Sequence, residues 1–234
     1  MATDANRSIL TDGNLTVTGR LVDASNATLY ATVSLDSIEK TCIYKPVAGE
    51  RPLWDFPEGT LADREYAAYL ISDFLELDLV PLTILRDGPY GPGMVQEWID
   101  IDESIDLASY FSQDIPQLRA MAFFDAIINN TDRKIGHLLP TIDGNLFGCD
   151  HGVTFHEEYK LRTVLWQWAG QPLLARELDA LKRLADSIPA VLDLSPHLQP
   201  AEIVALLGRI GQMYETGVMP QPSTQWPAIP WPAF

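Results

Sequence analysis

The spacing of apolar residues changes near residue 100, and this change restricts the fold more than any other feature of the sequence. Before it, short apolar runs with strand-like alternation are separated by residues that favour turns. The predicted strands cover residues 15–21, 28–33, 41–45, 80–85 and 93–99. Between the third and fourth strands, residues 61–77 repeat apolar side chains near the helical period, and Thr60 precedes them as a suitable N-cap. The first half therefore predicts five strands and one helix.

The chain after residue 100 has the pattern of a mostly helical unit. Helical spacing predicts helices over residues 114–130, 172–188 and 200–214. Two short apolar pieces at 137–140 and 145–149 predict a small hairpin. The last fifteen residues, 220–234, contain five prolines and two tryptophans without periodicity, which predicts an extended segment on the surface. Strands in one half and helices in the other predict an α+β fold with units at 1–99 and 100–234.

The charge balance argues against several kinds of partner. Thirty-two acidic and sixteen basic residues give a formal net charge of -16, which repels nucleic acid and anionic membranes when no basic patch offsets it. No apolar run reaches the roughly 20 residues that a membrane span needs, and the N-terminus lacks the blocks of a signal peptide. The two cysteines, Cys42 and Cys149, fit a reducing compartment. We expect a cytoplasmic protein with no transmembrane segment that binds neither nucleic acid nor membranes.

The segment from Asn129 to Gly152 holds the residues best suited to chemistry. A predicted helix ends in a polar loop that carries Asp132 and His137, and the following hairpin ends at Asp150. The hairpin brings these three side chains to one end, where carboxylates and an imidazole can converge on a metal-bound phosphate. One carboxylate can orient or deprotonate an attacking hydroxyl while other ligands hold Mg²⁺. The segment therefore predicts a phosphoryl-transfer site.

Asp132-Arg133 followed by His137, and then Asp150-His151-Gly152, resembles the catalytic loop and metal-binding motif of the protein kinase-like superfamily. The similarity is greatest to its phosphatidylinositol 3- and 4-kinase branch, and in particular to an actinobacterial phosphatidylinositol kinase-like family, from about Gly13 to the last helix. This resemblance implies a compact two-lobed fold, with a five-stranded N-lobe that carries one helix and a mostly helical C-lobe. It also implies ATP and Mg²⁺ or Mn²⁺ as cofactors, with Asp132 as the base and His137 and Asp150 as the metal ligands.

The resemblance extends to the first half of the chain. Kinase-like folds bind phosphates with a lysine of the third strand, which a glutamate of the helix orients, and Lys45 and Glu65 occupy those places. The last strand falls where a kinase hinge contacts adenine. The residues implied to line that pocket are Glu97, Trp98 and Ile99. The turn after the first strand lacks a glycine-rich pattern, so the residues expected to contact phosphate there are Ser25 and Asn26.

Two residues depart from the kinase pattern. His137 stands where kinases carry asparagine, and His151 replaces the phenylalanine of the metal motif. Imidazole is a softer ligand than the oxygen donors that Mg²⁺ prefers. The principal hypothesis is therefore an ATP-dependent phosphotransferase of weak activity, whose unknown acceptor is a protein, the chain itself or a small molecule rather than a lipid.

Several other interpretations stay open. A nucleotide-binding pseudokinase that regulates a protein partner would use the same site without turnover, and a nucleotidyl transferase would hold ATP in reverse. A zinc hydrolase built from His137, Asp150, His151 and His156 lacks a supporting spacing motif. In the structural alternatives, Asp132, Ser25 and Asn26 are turn residues, and Lys45 with Glu65 is an ordinary surface pair.

Overall fold

The first half of the chain folds into one antiparallel sheet. The computed structural model describes residues 4–21 and 27–234. Its five strands lie in the order β1-β2-β3-β5-β4, with bounds β1 Asn14–Arg20, β2 Leu29–Leu35, β3 Ile38–Pro46, β4 Thr83–Gly88 and β5 Gly91–Glu97. Every neighbouring pair is antiparallel. The five predicted strands are confirmed, and their ends differ from the predicted ends by a few residues.

The centre of the sheet holds the strand that carries Lys45. Residues of β3 pair with β5 in a register that places Lys45 opposite Met94 and Pro46 opposite Gly93. A Cβ atom added at Gly93 would lie 2.4 Å from the Lys45 carbonyl oxygen, so only glycine allows β5 to approach β3 this closely. Residue 93 therefore helps to fix the position of the lysine.

Two helices accompany the sheet, one more than the sequence predicts. Helix α1 spans Asp4–Asp12 and buries Ile9 and Leu10. Arg7 donates a 2.7 Å hydrogen bond from α1 to the hydroxyl of Tyr69. Nine residues with so few buried side chains give little helical signal by themselves, and tertiary contacts stabilise such a helix.

The second helix, α2, spans Leu61–Phe74 and is buried on most of its surface, including Arg64 and Glu65. Thr60 stands at the predicted N-cap position but makes no capping bond there. Its hydroxyl donates to the Pro57 carbonyl instead, at 2.8 Å. The carboxylate of Glu50 accepts from the free backbone amides of Leu61 and Ala62, at 3.2 and 2.9 Å, and so caps the helix from the preceding loop.

The second half is mostly helical, as predicted. Its elements are α3 Leu107–Tyr110, α4 Pro116–Ile128, β6 Leu138–Pro140, β7 Leu146–Gly148, α5 Ala175–Ser187 and α6 Pro200–Thr216. The short α3 was not predicted. Helix α4 is the centre of this half and is buried nearly all round. It ends at Asn129, which adopts a left-handed conformation (φ 51°) and turns the chain into the loop that carries Asp132.

Buried polar contacts join the two halves. Arg64 of α2 forms an ion pair with Glu202 of α6, with both side chains largely excluded from solvent. Arg64 also donates to the Thr154 carbonyl at 2.7 Å, and the backbone amide of Gly148 donates to the Leu79 carbonyl at 2.7 Å. The arrangement is α+β, as predicted. The domain boundary between residues 99 and 100 stays a prediction. Among the described helices, none is both long and apolar enough to cross a membrane.

Candidate active site

A buried arginine organises the loop that follows α4. The side chain of Arg133 is fully buried and pairs with Asp125 of α4 at 3.0 Å. It also donates to the Cys149 carbonyl at 3.0 Å and contacts Nε2 of His151 at 2.6 Å. Arg133 therefore supports the structure and does not reach a ligand. The sequence carried one signal for this contact, since Asp125 is the only charged residue in the apolar run 120–128.

The structure brings Lys45, Glu65 and Asp150 together between the sheet and the helical half. The ammonium of Lys45 donates to Glu65 Oε1 at 2.7 Å and also bonds Asp150 Oδ1. The other oxygen of Glu65 accepts from the backbone amide of His151 at 2.9 Å. Glu65 is thus held from two sides and holds the lysine in turn. The interpretation of Lys45 and Glu65 as an ordinary surface pair is wrong, because Glu65 is 2% exposed.

The charges of this group reinforce one another. Burial acts to lower the pKa of Lys45, but Asp150 and Glu65 outweigh it and raise that pKa above its ordinary value. Lys45 in turn holds the pKa of Asp150 well below its usual range, against the opposing effect of burial. At neutral pH the ammonium and the carboxylate are both charged, and an incoming phosphate or cation can replace either partner.

His137 faces the other oxygen of Asp150. Its Nε2 lies 3.5 Å from Asp150 Oδ2, and burial lowers the pKa of His137 to about 4, so the ring is neutral and has a lone pair to offer a metal. The backbone amide of Lys134 points to Nδ1 at 3.5 Å, which favours a proton on Nε2. This hydrogen bond is at the long limit, so its loss on a change of tautomer costs little. One carboxylate and one neutral imidazole fit a divalent cation that takes its other ligands from phosphate and water.

The residues proposed for a zinc site do not assemble. His156 contacts Lys160 at 3.1 Å and packs edge-on against Phe56. Across residues 4–21 and 27–234, no group of three or more His, Cys, Asp or Glu side chains is arranged to hold a metal ion. His137 and Asp150 are the two side chains that remain as candidate metal ligands.

Asp132 lies at the start of the loop with its carboxylate half-exposed. Its backbone amide donates to Asn130 Oδ1 at 3.0 Å, and its carboxylate lies 3.3 Å from the Lys134 ammonium. Burial raises the pKa of Asp132, and the positive charges of Lys134 and Arg162 limit the rise. A held carboxylate with a raised pKa suits proton transfer from a hydroxyl group.

Two cavities meet at Lys45 and Asp150. The first, of about 460 Å³, has a mainly apolar lining that includes Ile43, Trp98 and Leu139. The second, of about 350 Å³, has a lining that includes Asp132 and Arg162. Lys45 and Asp150 line both cavities, so a ligand in one reaches the same charged pair as a ligand in the other.

The structure places the predicted adenine-contacting residues along the first cavity. Glu97, Trp98 and Ile99 all line it. The backbone amides of Glu97 and Trp98 already donate to the carbonyls of Leu82 and Thr41, at 2.8 and 3.2 Å. These two amides are therefore occupied by the sheet and its neighbouring segment. The structure shows that the three residues line the cavity. Their contact with a nucleotide stays a prediction.

Two predicted phosphate-contacting residues, Ser25 and Asn26, lie outside the described residues, so their role stays a prediction. The flanking positions are described, and they lie at the two cavities. Leu21 lines the first cavity, and Ala27 lines the second.

Comparisons with known proteins agree with the fold. No family model matches the chain. The chain resembles the crystal structure of a Helicobacter pylori proinflammatory kinase, CtkA, with a TM-score of 0.50 and 13% identity, over 90% of this chain and 94% of that one. This likeness confirms the predicted kinase-like fold. It gives no support to the narrower assignment to a phosphatidylinositol kinase-like family.

A second comparison concerns sequence. Protein Rv2133c of Mycobacterium tuberculosis (strain ATCC 25618 / H37Rv) is 44% identical to the chain over 268 residues, which cover 99% of this chain and 96% of that protein. Identity at this level over nearly the whole of both chains shows common descent. The chain belongs to the family of protein Rv2133c.

Proposed function

We propose that the protein is an ATP- and divalent-metal-dependent phosphotransferase of the kinase type. The observation that carries this proposal is the meeting of two cavities at Lys45 and Asp150, with Asp132 on the side of the second cavity only. A nucleotide base in the apolar first cavity would direct its phosphates toward the charged pair. An acceptor in the second cavity would then bring its hydroxyl group between Asp132 and the terminal phosphate.

The proposed reaction assigns a separate role to each side chain. Lys45 binds the α- and β-phosphates, and Glu65 orients Lys45 through the 2.7 Å hydrogen bond. Asp132 accepts the proton of the acceptor hydroxyl, whose oxygen forms a bond to the γ-phosphorus. The bond from that phosphorus to the bridging oxygen breaks, and ADP leaves with the electron pair. The proton on Asp132 then passes to solvent, because the side chain is partly exposed.

Asp150 and His137 are the residues that would hold Mg²⁺ or Mn²⁺. When bound, such an ion neutralises the negative charge of the phosphate oxygens during transfer. To take part, the Asp150 carboxylate exchanges part of its contact with Lys45, and His137 presents an unprotonated Nε2. The neutral state of the ring, which burial favours by lowering the pKa of His137, is the state that this role needs.

Substitution of the two aspartates tests the proposal. We expect Asp132→Asn and Asp150→Asn to lower the rate of ADP formation from ATP by at least about 100-fold, as is usual for loss of a catalytic base or metal ligand. Asp179→Asn, which removes an exposed carboxylate from α5, is the matched control. Thermal unfolding of each variant shows whether it is folded. A folded Asp132→Asn protein that turns over ATP as fast as wild type would falsify the assignment.

A nucleotide-binding pseudokinase is the second candidate, and one observation favours it. The contact of the Lys134 amide with His137 Nδ1 stabilises the tautomer whose Nε2 bears hydrogen and cannot ligate a metal. Nucleotide occupancy would then regulate a protein partner without turnover. Tight ATP binding with no ADP formed in Mg²⁺ or Mn²⁺ would favour this candidate. Mass spectrometry of the products separates both from nucleotidyl transfer, which adds AMP instead of phosphate.

The acceptor is proposed to be a protein, the chain itself or a small molecule. A lipid acceptor, which a phosphatidylinositol kinase-like family name suggests, is disfavoured because a net charge of -16 opposes approach to an anionic bilayer. Phosphate transfer to phosphatidylinositol vesicles would overturn this preference. Location in the cytoplasm and the lack of nucleic-acid binding stay predictions.

A further inference from the structure

The walls of the second cavity come from distant parts of the chain. They include the loop 50–56, the first turn of α2, the loop around Asp132, the segment 160–162 and Trp226 of the C-terminal segment, in addition to the residues around Lys45 and Asp150. A volume of about 350 Å³ is at the lower end of the range of roughly 300–1,000 Å³ for small-molecule sites. If the protein transfers phosphate as proposed, this cavity is where the acceptor binds.

The C-terminal segment, residues 217–234, packs beside the second cavity. The Ala233 carbonyl accepts from the backbone amide of Ile135, next to Asp132 in the same loop, at 2.9 Å. The Ala228 carbonyl accepts from the Thr163 amide and from the Trp166 indole, at 3.1 and 2.8 Å. These contacts attach the segment to the loop of Asp132 and to residues that follow the cavity wall at 160–162, and they place Trp226 at the cavity.

Lys160 supports the wall of this cavity and has no capacity left for a ligand. Its ammonium is buried, lies 3.0 Å from the Asp55 carboxylate, and sits over the rings of Trp54 and Trp226 at 4.9 and 4.5 Å. The two indoles stack on each other with centroids 6.5 Å apart. One cation therefore joins the loop 50–56 to the C-terminal segment.

Arg162, two residues further along, differs from Lys160 in this respect. It is half-buried and lines the cavity, yet its guanidinium has no hydrogen-bond or ion-pair partner in the described part of the chain. Two carboxylates on the wall do not pair with Arg162, because Glu50 caps α2 and Asp55 binds Lys160. A partly desolvated guanidinium with unused donors favours a carboxylate or phosphate, which it can bind through two hydrogen bonds.

We infer that the second cavity binds a small hydroxylated molecule bearing a carboxylate or phosphate group, with Arg162 on the anion and Asp132 on the hydroxyl that receives phosphate. This inference rests on the proposed phosphotransfer. Arg162 and Asp132 both line this cavity of about 350 Å³, so one small molecule can reach both side chains.

Three matched probes test the inference by binding alone. Glycerol, D-glycerate and glycerol 3-phosphate share a three-carbon skeleton and differ in the anionic group. Titration followed by tryptophan fluorescence reports on Trp54 and Trp226, which line the cavity. We expect saturable binding of at least one anion and none of glycerol at the same concentrations. The anion that binds distinguishes a carboxylate acceptor from a phosphate acceptor.

Substitution of Arg162 locates the binding site. We expect Arg162→Gln to weaken binding of the anion about 10- to 100-fold, the effect of one charge-assisted bidentate contact, while Arg162→Lys restores part of it. Affinity for ATP should not change. Arg176→Gln, which removes an exposed arginine of α5 that does not line the cavity, is the matched control. Thermal unfolding shows that each variant is folded.

Several outcomes would overturn the inference. They are equal binding of glycerol and the anions, failure of both anions to bind, equal anion affinity in Arg162→Gln, or phosphate transfer only to dephosphorylated casein or to phosphatidylinositol vesicles. The binding experiments use wild-type protein and the Arg162 variants without ATP, so they are independent of turnover. Anion binding that depends on Arg162, together with no ADP formation from wild type, would refute the proposed phosphotransfer and leave the anion site standing.

Discussion

Arg133 and His151 contact each other at 2.6 Å with both side chains fully buried. A guanidinium only donates, so His151 Nε2 is the acceptor and the ring proton is on Nδ1. That Nδ1 has no hydrogen-bond partner and lies 3.9 Å from Glu65 Oε2. The contact joins the loop that carries Asp132 to the segment that carries Asp150, and the unpaired N–H lies near Glu65, which hydrogen-bonds Lys45.

Removal of Arg133 should destabilise the protein more than loss of any surface charge. Arg133→Met leaves the buried carboxylate of Asp125 without its cation, although Asn130 still donates a hydrogen bond to it, and loss of one partner of a buried ion pair costs about 3–5 kcal/mol. Urea unfolding should show this loss, whereas the double variant Arg133→Met with Asp125→Leu should recover a large part of it. Equal stability of the single and double variants would mean that burial of Asp125 without the arginine does not lower the free energy of unfolding.

Lys45 should control nucleotide affinity. Lys45→Met removes a charge-assisted contact to phosphate, and we expect ATP to bind roughly 10- to 100-fold more weakly in calorimetry. Glu65→Gln should have a smaller effect in the same direction, because it acts through the position of Lys45. Lys182→Met, at an exposed lysine of α5, serves as the control. Unchanged ATP affinity in folded Lys45→Met would contradict the assignment of the phosphates to this lysine.

His137 should set the preference among divalent metals. Imidazole nitrogen suits Mn²⁺ better than Mg²⁺, which takes oxygen ligands. We expect ATP turnover by wild type to be faster with Mn²⁺, and His137→Asn to lower the ratio of the Mn²⁺ rate to the Mg²⁺ rate about 3- to 10-fold. A ratio that does not change in the variant would remove His137 from the metal site.

Acid should destabilise the metal-free protein below about pH 6.5. Burial lowers the pKa of His137 from 6.5 to about 4 and lowers that of His151 well below 6.5. The unfolded chain therefore binds more protons in this range, and the free energy of unfolding falls as the pH drops from 6.5 toward 4. The lowered pKa of Asp150 acts in the same direction, but only below the ordinary value of 3.8.

Urea unfolding at several pH values measures this loss. We expect a decrease on the order of 1–3 kcal/mol between pH 7 and pH 5. His137→Asn should reduce the decrease, and His137→Asn with His151→Phe should reduce it further. A wild-type protein as stable at pH 5 as at pH 7 would show that both imidazoles are protonated as easily in the folded protein as in the unfolded chain, which would contradict the prediction.

Local patterns in the sequence predicted the sheet and the large helices because those elements depend on nearby residues. Alternation in β2, where Leu29, Ala31 and Val33 are buried, is visible without a structure. Helix α1 was missed because Ile9 and Leu10 are too few to produce a period. Thr60 stands at the predicted N-cap position of α2, but the capping carboxylate is that of Glu50, eleven residues upstream of Leu61, which the local pattern could not reveal.

The site shows the same limit. Lys45, Asp132 and Asp150 stood out because motif spacing marks them, and the structure brings Lys45 and Asp150 into contact. Arg162 could not be found in this way. Its relevance depends on a cavity whose walls come from distant parts of the chain, so only the folded protein distinguishes it from the partnered Lys160.

The hydrogen bond from Ile135 to Ala233 also bears on biosynthesis. Residues 226–233 follow every helix and strand of the described fold, so the ribosome releases the sheet, α4 and the loop of Asp132 well before them. Ala233 also packs against the hydrophobic core, so the last residues contribute to the core as well as to the loop of Asp132. The contact that joins the C-terminal segment to this loop is therefore among the last to become available as the chain leaves the ribosome.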